Sequence, residues 1–250
     1  MSSILITGCS SGFGLEAAKL FLDRGWHVIA TMRSPSTELL PASERLRVLA
    51  LDVTDAGSIA AAVDAAGPVD VLVNNAGFGA PSPIELTSPE TVRDLFQTNT
   101  IGTLAMTQAF LPQMRMRRAG VVINVTSTVT LRPLPVIGVY RASKAAVNAF
   151  TESLAVEMEP FGVRVHIVLP GRSPETRFGA NARPHLRGMD DPDYGPLLQQ
   201  FIANVQSDTG PVTHAPDVAE ALWRAATDPS APLRIAGGAD AEIWMDEAAE

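Results

Sequence analysis

The chain has 250 residues, of which 46% are apolar and 18% charged, as expected of a folded globular protein. Its formal net charge of −8 argues against binding to a nucleic-acid backbone, which requires a basic face. No apolar run is long enough to span a membrane, and the first predicted strand begins at Ile4, too early for a preceding signal peptide. Because Cys9 is the only cysteine, no internal disulfide forms, and we expect a cytoplasmic protein.

Short β-branched runs alternate with alanine-rich helical stretches along the chain. Because several of the runs are apolar throughout, they are typical of parallel strands that are covered on both faces. The alternation predicts one α/β domain over residues 1–250, a doubly wound, Rossmann-like parallel sheet. The predicted strands are Ile4–Ile6, His27–Thr31, Leu46–Ala50, Val69–Val73, Val121–Val125, Val163–Val168 and Leu233–Ile235, and the predicted helices are Gly14–Arg24, Gly57–Ala66, Pro89–Arg118, Val139–Glu159 and Ala215–Ala226.

The segment 172–211 interrupts this rhythm, since it is rich in proline, glycine and charge and has only a short apolar patch at Leu197–Ile202. A connection of this length inside a domain is usually a functional loop rather than an irregular excursion. It follows the sixth predicted strand and the pair Pro170-Gly171, and ligands of open α/β sheets bind beyond the carboxyl ends of the strands. We therefore predict that 172–211 is a substrate lid.

A glycine-rich turn joins the first strand to the first helix, with the sequence TGCSSGFG at 7–14. Glycines permit a tight turn and close backbone approach, and a helix N-terminus offers free N–H groups to a pyrophosphate. The spacing differs from G-x-G-x-x-G, and the G-K-[ST] ending of a triphosphate-binding loop is absent. The turn predicts a dinucleotide site that includes Gly8, Ser10, Ser11, Gly12, Phe13 and Gly14.

Tyr140 and Lys144 stand four residues apart in a chain with only two tyrosines and two lysines. The other seventeen basic residues, apart from Lys19, are arginines, which keep their proton. A lysine at 144 therefore indicates a side chain that can titrate, and not only a positive charge. In a helix the pair shares one face, and an ammonium near a phenol favours phenolate, as would the positive nicotinamide ring of an oxidised cofactor. We therefore expect a lowered pKa for Tyr140. The alternative is an ordinary surface pair.

With a lowered pKa, Tyr140 would exchange a proton with a carbonyl or alcohol oxygen as hydride is transferred. Ser127, just past the fifth predicted strand, would hydrogen-bond the same oxygen and stabilise its developing charge. The histidines lack metal-ligand spacing, so we predict no metal site.

The choice of cofactor depends on the residue that follows the second strand. An acid there holds the ribose of NAD, whereas an arginine accommodates the additional phosphate of NADP. The strand ends in Ala-Thr-Met-Arg33 without an acid, which favours NADP(H) and leaves NAD(H) possible. The alternative for Arg33 is a solvent-facing side chain at the start of a loop.

These motifs, together with Asn74–Gly77 and Asn99, resemble the short-chain dehydrogenase/reductase family in its compact form, over about residues 3–236. The resemblance implies that Lys144 also bonds the nicotinamide ribose, that Asn99 holds a water linking this lysine to solvent, and that subunits pair as a homodimer or homotetramer. Thr176 stands one residue later than in the common family pattern. The cofactor pocket implied by the resemblance further includes Asp52, Val53, Asn75, Ala76, Gly77, Pro170 and Gly171.

The sequence thus predicts an oxidoreductase that acts on a carbonyl/secondary-alcohol pair of a small molecule. Its substrate walls are predicted at 78–84, at 128–137 and in the lid, including Phe178 and Met189. Because these residues are mainly apolar, we expect a hydrophobic substrate. The competing interpretations are a non-catalytic NADP-binding sensor or scaffold, and an epimerase or dehydratase, whose relatives usually carry a longer C-terminal substrate domain.

Overall fold

In the computed structural model, which describes residues 2–248, seven strands form one parallel sheet in the order β3-β2-β1-β4-β5-β6-β7. Since β1 pairs with both β2 and β4, strand order reverses beside β1, and a crevice forms there at the carboxyl ends of the strands. The predicted doubly wound architecture is confirmed. The strands are β1 (Ser3–Thr7), β2 (His27–Met32), β3 (Leu46–Ala50), β4 (Val71–Asn74), β5 (Gly120–Val125), β6 (Val163–Leu169) and β7 (Arg234–Ala236).

Helices cover both faces of the sheet. Alternate residues of β1 point to opposite faces, so Ile4 lies in the cluster with Phe21 and Leu222, whereas Leu5 lies in the cluster with Phe110. The first cluster joins α1 and α8, and the second joins α2, α4 and α5. The helices are α1 (Gly12–Asp23), α2 (Ala56–Ala66), α3 (Pro89–Phe96), α4 (Thr103–Arg117), α5 (Gly138–Met158), α6 (Phe178–Ala182), α7 (Tyr194–Ser207), α8 (Ala215–Thr227) and α9 (Ala239–Glu247).

The predicted single helix Pro89–Arg118 is wrong in its middle, where a π-helical turn at Gln97–Gly102 separates α3 from α4. Asn99 lies in this turn and is fully buried. Its Oδ1 accepts from the Phe78 amide at 3.0 Å, and its Nδ2 donates to the Phe78 carbonyl at 2.9 Å. These long-range bonds draw the turn inward, and π-turns of this kind are frequent at functional sites.

The segment 172–211 contains more regular structure than its composition indicated. The apolar patch Leu197–Ile202 belongs to α7, a helix of 14 residues, and α6 lies before it. The C-terminal helix α9 was also missed, because it is short and lacks a side-chain cap. None of the helices between residues 2 and 248 is long and apolar enough to cross a membrane.

Candidate active site

The glycine-rich turn is shaped by backbone conformations and approaches that exclude larger residues. Gly8 and Gly12 have φ angles of 77° and 59°, in the left-handed region that favours glycine. A Cβ on Gly14 would lie 2.5 Å from the Gly8 carbonyl oxygen, so only glycine allows this packing. Ser11 precedes α1 without a side-chain cap, which leaves the helix N-terminus available to an anion.

The loop after β4 holds the glycine-rich turn in place. Asn75 Nδ2 donates to the carbonyls of Thr7 and Gly8, at 2.9 and 3.2 Å. The Thr7 hydroxyl in turn accepts from the amides of Asn75 and Ala76, both at 2.9 Å. The two loops therefore form one preorganised unit at the reversal of strand order.

A cleft of about 750 Å³ crosses the carboxyl ends of the strands. This volume lies within the range of about 300–1,000 Å³ that is common for small-molecule and cofactor sites. The glycine-rich turn lies at one side of the cleft, and the side chains of Tyr140 and Lys144 face it as well. The predicted site residues that line it are Gly8, Ser10, Ser11, Gly12, Phe13, Arg33, Asp52, Val53, Asn75, Ala76, Gly77, Tyr140 and Lys144.

Tyr140 and Lys144 are almost fully buried, at 7% and 4% exposure, although both reach the cleft. Lys144 Nζ donates to the Val125 carbonyl at 2.9 Å, and burial lowers the pKa of this lysine to about 8. Burial raises the pKa of Tyr140 to about 12, against an opposing hydrogen bond from Ser127. The predicted lowering of the Tyr140 pKa is therefore wrong for the protein chain itself, because desolvation outweighs the neighbouring hydrogen bond.

Asn99 and Ser143 support helix α5, which carries Tyr140 and Lys144. Asn99 Nδ2 donates to Ser143 Oγ at 3.0 Å, and Ser143 Oγ donates to the Tyr140 carbonyl at 2.7 Å. A Cβ on Gly77 would lie 2.8 Å from Asn99 Oδ1 and 3.2 Å from Lys144 Nζ, so Gly77 is closely enclosed. Ser143 was missed by sequence reasoning, because a serine inside a helix carries no sign of a long-range partner.

Pro170 and Gly171 directly follow β6 and do not line the cleft. The Pro170 carbonyl accepts from the Thr128 amide at 3.0 Å, next to Ser127, and the Gly171 amide donates to Thr213 Oγ1 at 2.9 Å. Thr176 does line the cleft, and a Cβ on Gly12 would lie 3.6 Å from its side chain. The predicted site residues outside the lining are Gly14, Asn99, Ser127, Pro170 and Gly171.

Charged residues gather at the end of the cleft near β2 and β3. Asp52 Oδ1 accepts from the amide and hydroxyl of Thr54, at 2.9 and 2.7 Å, and these bonds lower the pKa of Asp52. Arg33 adds a smaller Coulombic contribution in the same direction. The Arg33 guanidinium forms no hydrogen bond or ion pair within residues 2–248, although it lines the cleft.

Aromatic side chains enclose the cleft near Tyr140. The ring of Phe178 lies 5.5 Å from that of Tyr140, and Phe178 approaches Gly79 so closely that a Cβ there would lie 2.6 Å from the ring. Phe78 packs on His185, with 5.0 Å between ring centroids. The first part of the segment 172–211 thus packs directly over the tyrosine.

The cleft fits a nicotinamide dinucleotide. Its glycine-rich turn has no room for a Cβ at Gly14, the α1 N-terminus is uncapped by Ser11, and a buried tyrosine–lysine pair faces the same cleft. Fold and site together define a Rossmann-like dinucleotide-dependent oxidoreductase.

Within this class, the chain matches one family of oxidoreductases. The model described as short chain dehydrogenase matches residues 2–186, and the chain belongs to this family. It is 34% identical over 240 residues to 3-ketodihydrosphingosine reductase of Bacteroides thetaiotaomicron, covering 94% of this chain and 87% of that protein.

Two solved structures that hold a cofactor are similar to this chain along almost their whole length. The closed form of serine dehydrogenase complexed with NADP⁺ superposes with a TM-score of 0.82 and 28% identity, covering 95% of both chains. The 3-ketoacyl-(acyl-carrier-protein) reductase of Brucella melitensis complexed with NADH has a TM-score of 0.76 and 29% identity, covering 94% of this chain and 97% of that one. Similar structures therefore bind either nicotinamide cofactor.

Proposed function

We propose that the protein transfers a hydride between a nicotinamide dinucleotide, with NADPH preferred, and the carbon of a ketone or secondary alcohol. The observation that carries this proposal is the placement of Tyr140 and Lys144, both buried, in the same cleft as the glycine-rich turn. Burying an ammonium without a carboxylate partner costs free energy, and Lys144 has no such partner within residues 2–248. The arrangement therefore supports a catalytic role more than a structural one.

When bound, the nicotinamide supplies or accepts the hydride. The pKa of Tyr140 is about 12, so its phenol is protonated at neutral pH. In the reductive direction it donates this proton to the substrate oxygen. Lys144, whose pKa is lowered to about 8, is charged at neutral pH and stabilises the resulting phenolate. The Ser127 hydroxyl, which lies beside the phenol, hydrogen-bonds the same oxygen. In the oxidative direction the phenolate takes the proton back.

We propose that Arg33 is the residue that favours NADPH. It follows β2 directly, lines the cleft and has a guanidinium without a partner among residues 2–248. A guanidinium binds phosphate through charge-assisted hydrogen bonds, whereas the 2′-hydroxyl of NADH offers it no such charge. Asp52 lies at the same end of the cleft and is available to a ribose hydroxyl.

We propose that the substrate carries its reactive carbonyl on an apolar body, with a 3-keto compound of a long chain as the first class to test. Phe178 and Phe78 provide apolar walls beside Tyr140. The reductase from Bacteroides thetaiotaomicron and the ketoacyl reductase from Brucella melitensis both carry a 3-keto substrate in their names. The segment 172–211 would act as the lid that encloses the chain of such a substrate.

We further propose a cytoplasmic homodimer or homotetramer. The apolar side chains of Ile101 and Val156 are 49% and 71% exposed, which supports an interface that includes the π-turn and α5. The single cysteine is buried and suits a reducing compartment. Light scattering coupled to size exclusion measures the molar mass, and a monomer at micromolar concentration would contradict the interface.

Transfer of an isotopic label separates the enzyme from the non-catalytic sensor. NADPH deuterated on either face of C4 is incubated with a panel of ketones, including 3-keto compounds of increasing chain length, and the alcohol product is analysed by mass spectrometry. We expect one deuterium in the product from only one of the two labelled cofactors. A protein that binds NADPH tightly but transfers no label to any ketone, and takes none back from any alcohol, would support the sensor instead.

A further inference from the structure

A buried carboxylate lies outside the cleft, at the first turn of α9. Asp240 is 8% exposed and has no cationic partner within residues 2–248. Its Oδ2 accepts from the Arg172 amide at 2.6 Å, and its Oδ1 accepts from Thr213 Oγ1 at 2.6 Å. The Thr213 hydroxyl also accepts from the Gly171 amide at 2.9 Å. Two consecutive backbone amides are therefore held, directly or through one hydroxyl, by a single carboxylate.

Asp240 holds the backbone corner at residues 170–172, and this corner is connected to Ser127. The Pro170 carbonyl accepts from the Thr128 amide at 3.0 Å, and Thr128 follows Ser127 directly. The path from Asp240 to Ser127 thus runs through the backbone at 170–172 and two hydrogen bonds, one at Arg172 and one at Pro170. The same corner leads into Thr176, which lines the cleft.

The surrounding backbone is built closely around this carboxylate. A Cβ on Gly171 would lie 2.1 Å from Asp240 Oδ2, and a Cβ on Gly238 would lie 2.4 Å from Thr213 Oγ1. The Thr213 amide adds a further bond to the Arg172 carbonyl at 2.8 Å. Because charge-assisted hydrogen bonds are stronger than neutral ones, removal of the carboxylate should loosen the corner more than loss of packing alone.

The distal end of α9 contacts the loop that follows Ser127. The Arg132 guanidinium stacks over the Trp244 ring at 3.3 Å from its centroid and pairs with Glu247 at 3.3 Å. One helix therefore touches both loops that border the site, by a buried carboxylate at its beginning and by a stacked side chain near its end.

We propose that Asp240 is a positioning residue that fixes the 170–172 corner and, through Thr128, the orientation of the Ser127 hydroxyl. This inference rests on the proposed function only for the role of Ser127. Asp240 acts through backbone amides, so its loss should reduce turnover without removing any group that contacts substrate or cofactor.

Hydrogen exchange of the whole chain tests the positioning role without any substrate. The variants are Asp240→Ala, Asp240→Asn and Thr213→Val, and the control is Asp246→Ala, which removes the same charge from an exposed position of α9. We expect exchange in peptides spanning 126–131 and 170–176 to become about tenfold faster in Asp240→Ala, with an intermediate change in the other two variants. Peptides from β1 and β2 should not change.

Kinetics supply the second readout. We expect kcat of Asp240→Ala to fall about tenfold while the Kd for NADPH stays within about threefold, with partial recovery in Asp240→Asn. Unchanged exchange at 126–131, or a kcat within twofold of the unmodified chain, would overturn the proposal. If Asp240→Ala does not fold, the same criteria apply to Asp240→Asn and Thr213→Val. A chain with no activity on any substrate refutes the proposed function, but the exchange result still decides the positioning role.

Discussion

The two ends of the cleft are built on different physical principles. The glycine-rich turn is a backbone structure in which Gly8, Gly12 and Gly14 create space and N–H donors. The tyrosine–lysine end is a side-chain structure, in which Tyr140 and Lys144 are buried and have pKa values shifted by desolvation. The first end therefore depends on shape and the second on local polarity. Substitutions that add a methyl group to the glycine-rich turn should therefore damage cofactor binding, and those that delete the functional group of Tyr140 should damage chemistry.

Tyr140→Phe should produce the largest effect and should separate the two ends most clearly. It removes only the proton donor, so we expect kcat to fall by about 10²–10⁴-fold, the usual contribution of a general acid. The Kd for NADPH, measured by fluorescence titration, should stay within about twofold. Tyr194→Phe is the matched control, since Tyr194 donates to Glu85 at 2.6 Å on the surface. A Tyr140→Phe variant with a tenth or more of the original kcat would rule out the tyrosine as the proton donor.

Gly14→Ala should give the reverse pattern. Its Cβ would meet the Gly8 carbonyl oxygen at 2.5 Å, so the turn must distort. We expect a loss of about 1–3 kcal/mol in the free energy of unfolding, as in other overpacked sites, and a clearly weaker Kd for NADPH. Gly179→Ala is the control, because a Cβ there has no neighbour within 4 Å. Calorimetry measures the affinity for NADPH. If both variants bind NADPH as tightly as the unmodified chain, cofactor binding does not depend on the shape of the turn at Gly14.

Lys144→Met should reveal how much free energy of unfolding is lost by burying the Lys144 ammonium. The pKa of Lys144 is about 8 in the folded chain but near its ordinary value of about 10.4 when unfolded, so the unfolded chain binds more protons between these pH values. Stability from this group therefore rises with pH across that window. We expect the unmodified chain to gain about 2 kcal/mol relative to Lys144→Met between pH 8 and pH 10, at about 1.4 kcal/mol per unit of pKa shift.

Denaturant titration at each pH measures this difference directly. The matched control is Lys19→Met, which removes the other lysine, a partly exposed residue of α1 outside the cleft. Equal pH dependence of stability in the unmodified chain and in Lys144→Met would show that burial does not shift the pKa of this lysine. The tyrosine–lysine end would then differ from the glycine-rich end in its side chains but not in local polarity.

The architecture and the main motifs were predictable from the sequence because they are local. Apolar runs identify strands, and the spacing between Tyr140 and Lys144 fixes a shared helix face without knowledge of the fold. The π-turn at Asn99 was not predictable, since it arises from hydrogen bonds to Phe78, 21 residues away. The same holds for Asp240, whose partners Arg172 and Thr213 meet only in the folded chain.

The direction of the Tyr140 pKa shift was also not accessible from the sequence. The spacing to Lys144 indicates a nearby charge, but the degree of burial depends on neighbours such as Phe178, which is distant in the chain. Helix α7 was missed for a different reason. Leu198, Ile202 and Val205 do recur at helical spacing, but the proline, glycine and charge around them favoured a loop.

Arg33→Ala should give the smallest effect, because it removes one exposed charge at the cofactor end. We expect the Kd for NADPH to rise about five- to tenfold, the range of a partly screened ion contact, and the Kd for NADH to remain unchanged. Arg45→Ala is the control, since Arg45 is exposed just before β3, away from the cleft, and its loss changes the net charge equally. The Arg33 effect should weaken as salt rises. Equal losses for both cofactors would mean that Arg33 does not recognise the phosphate, and that discrimination at this end rests on shape alone.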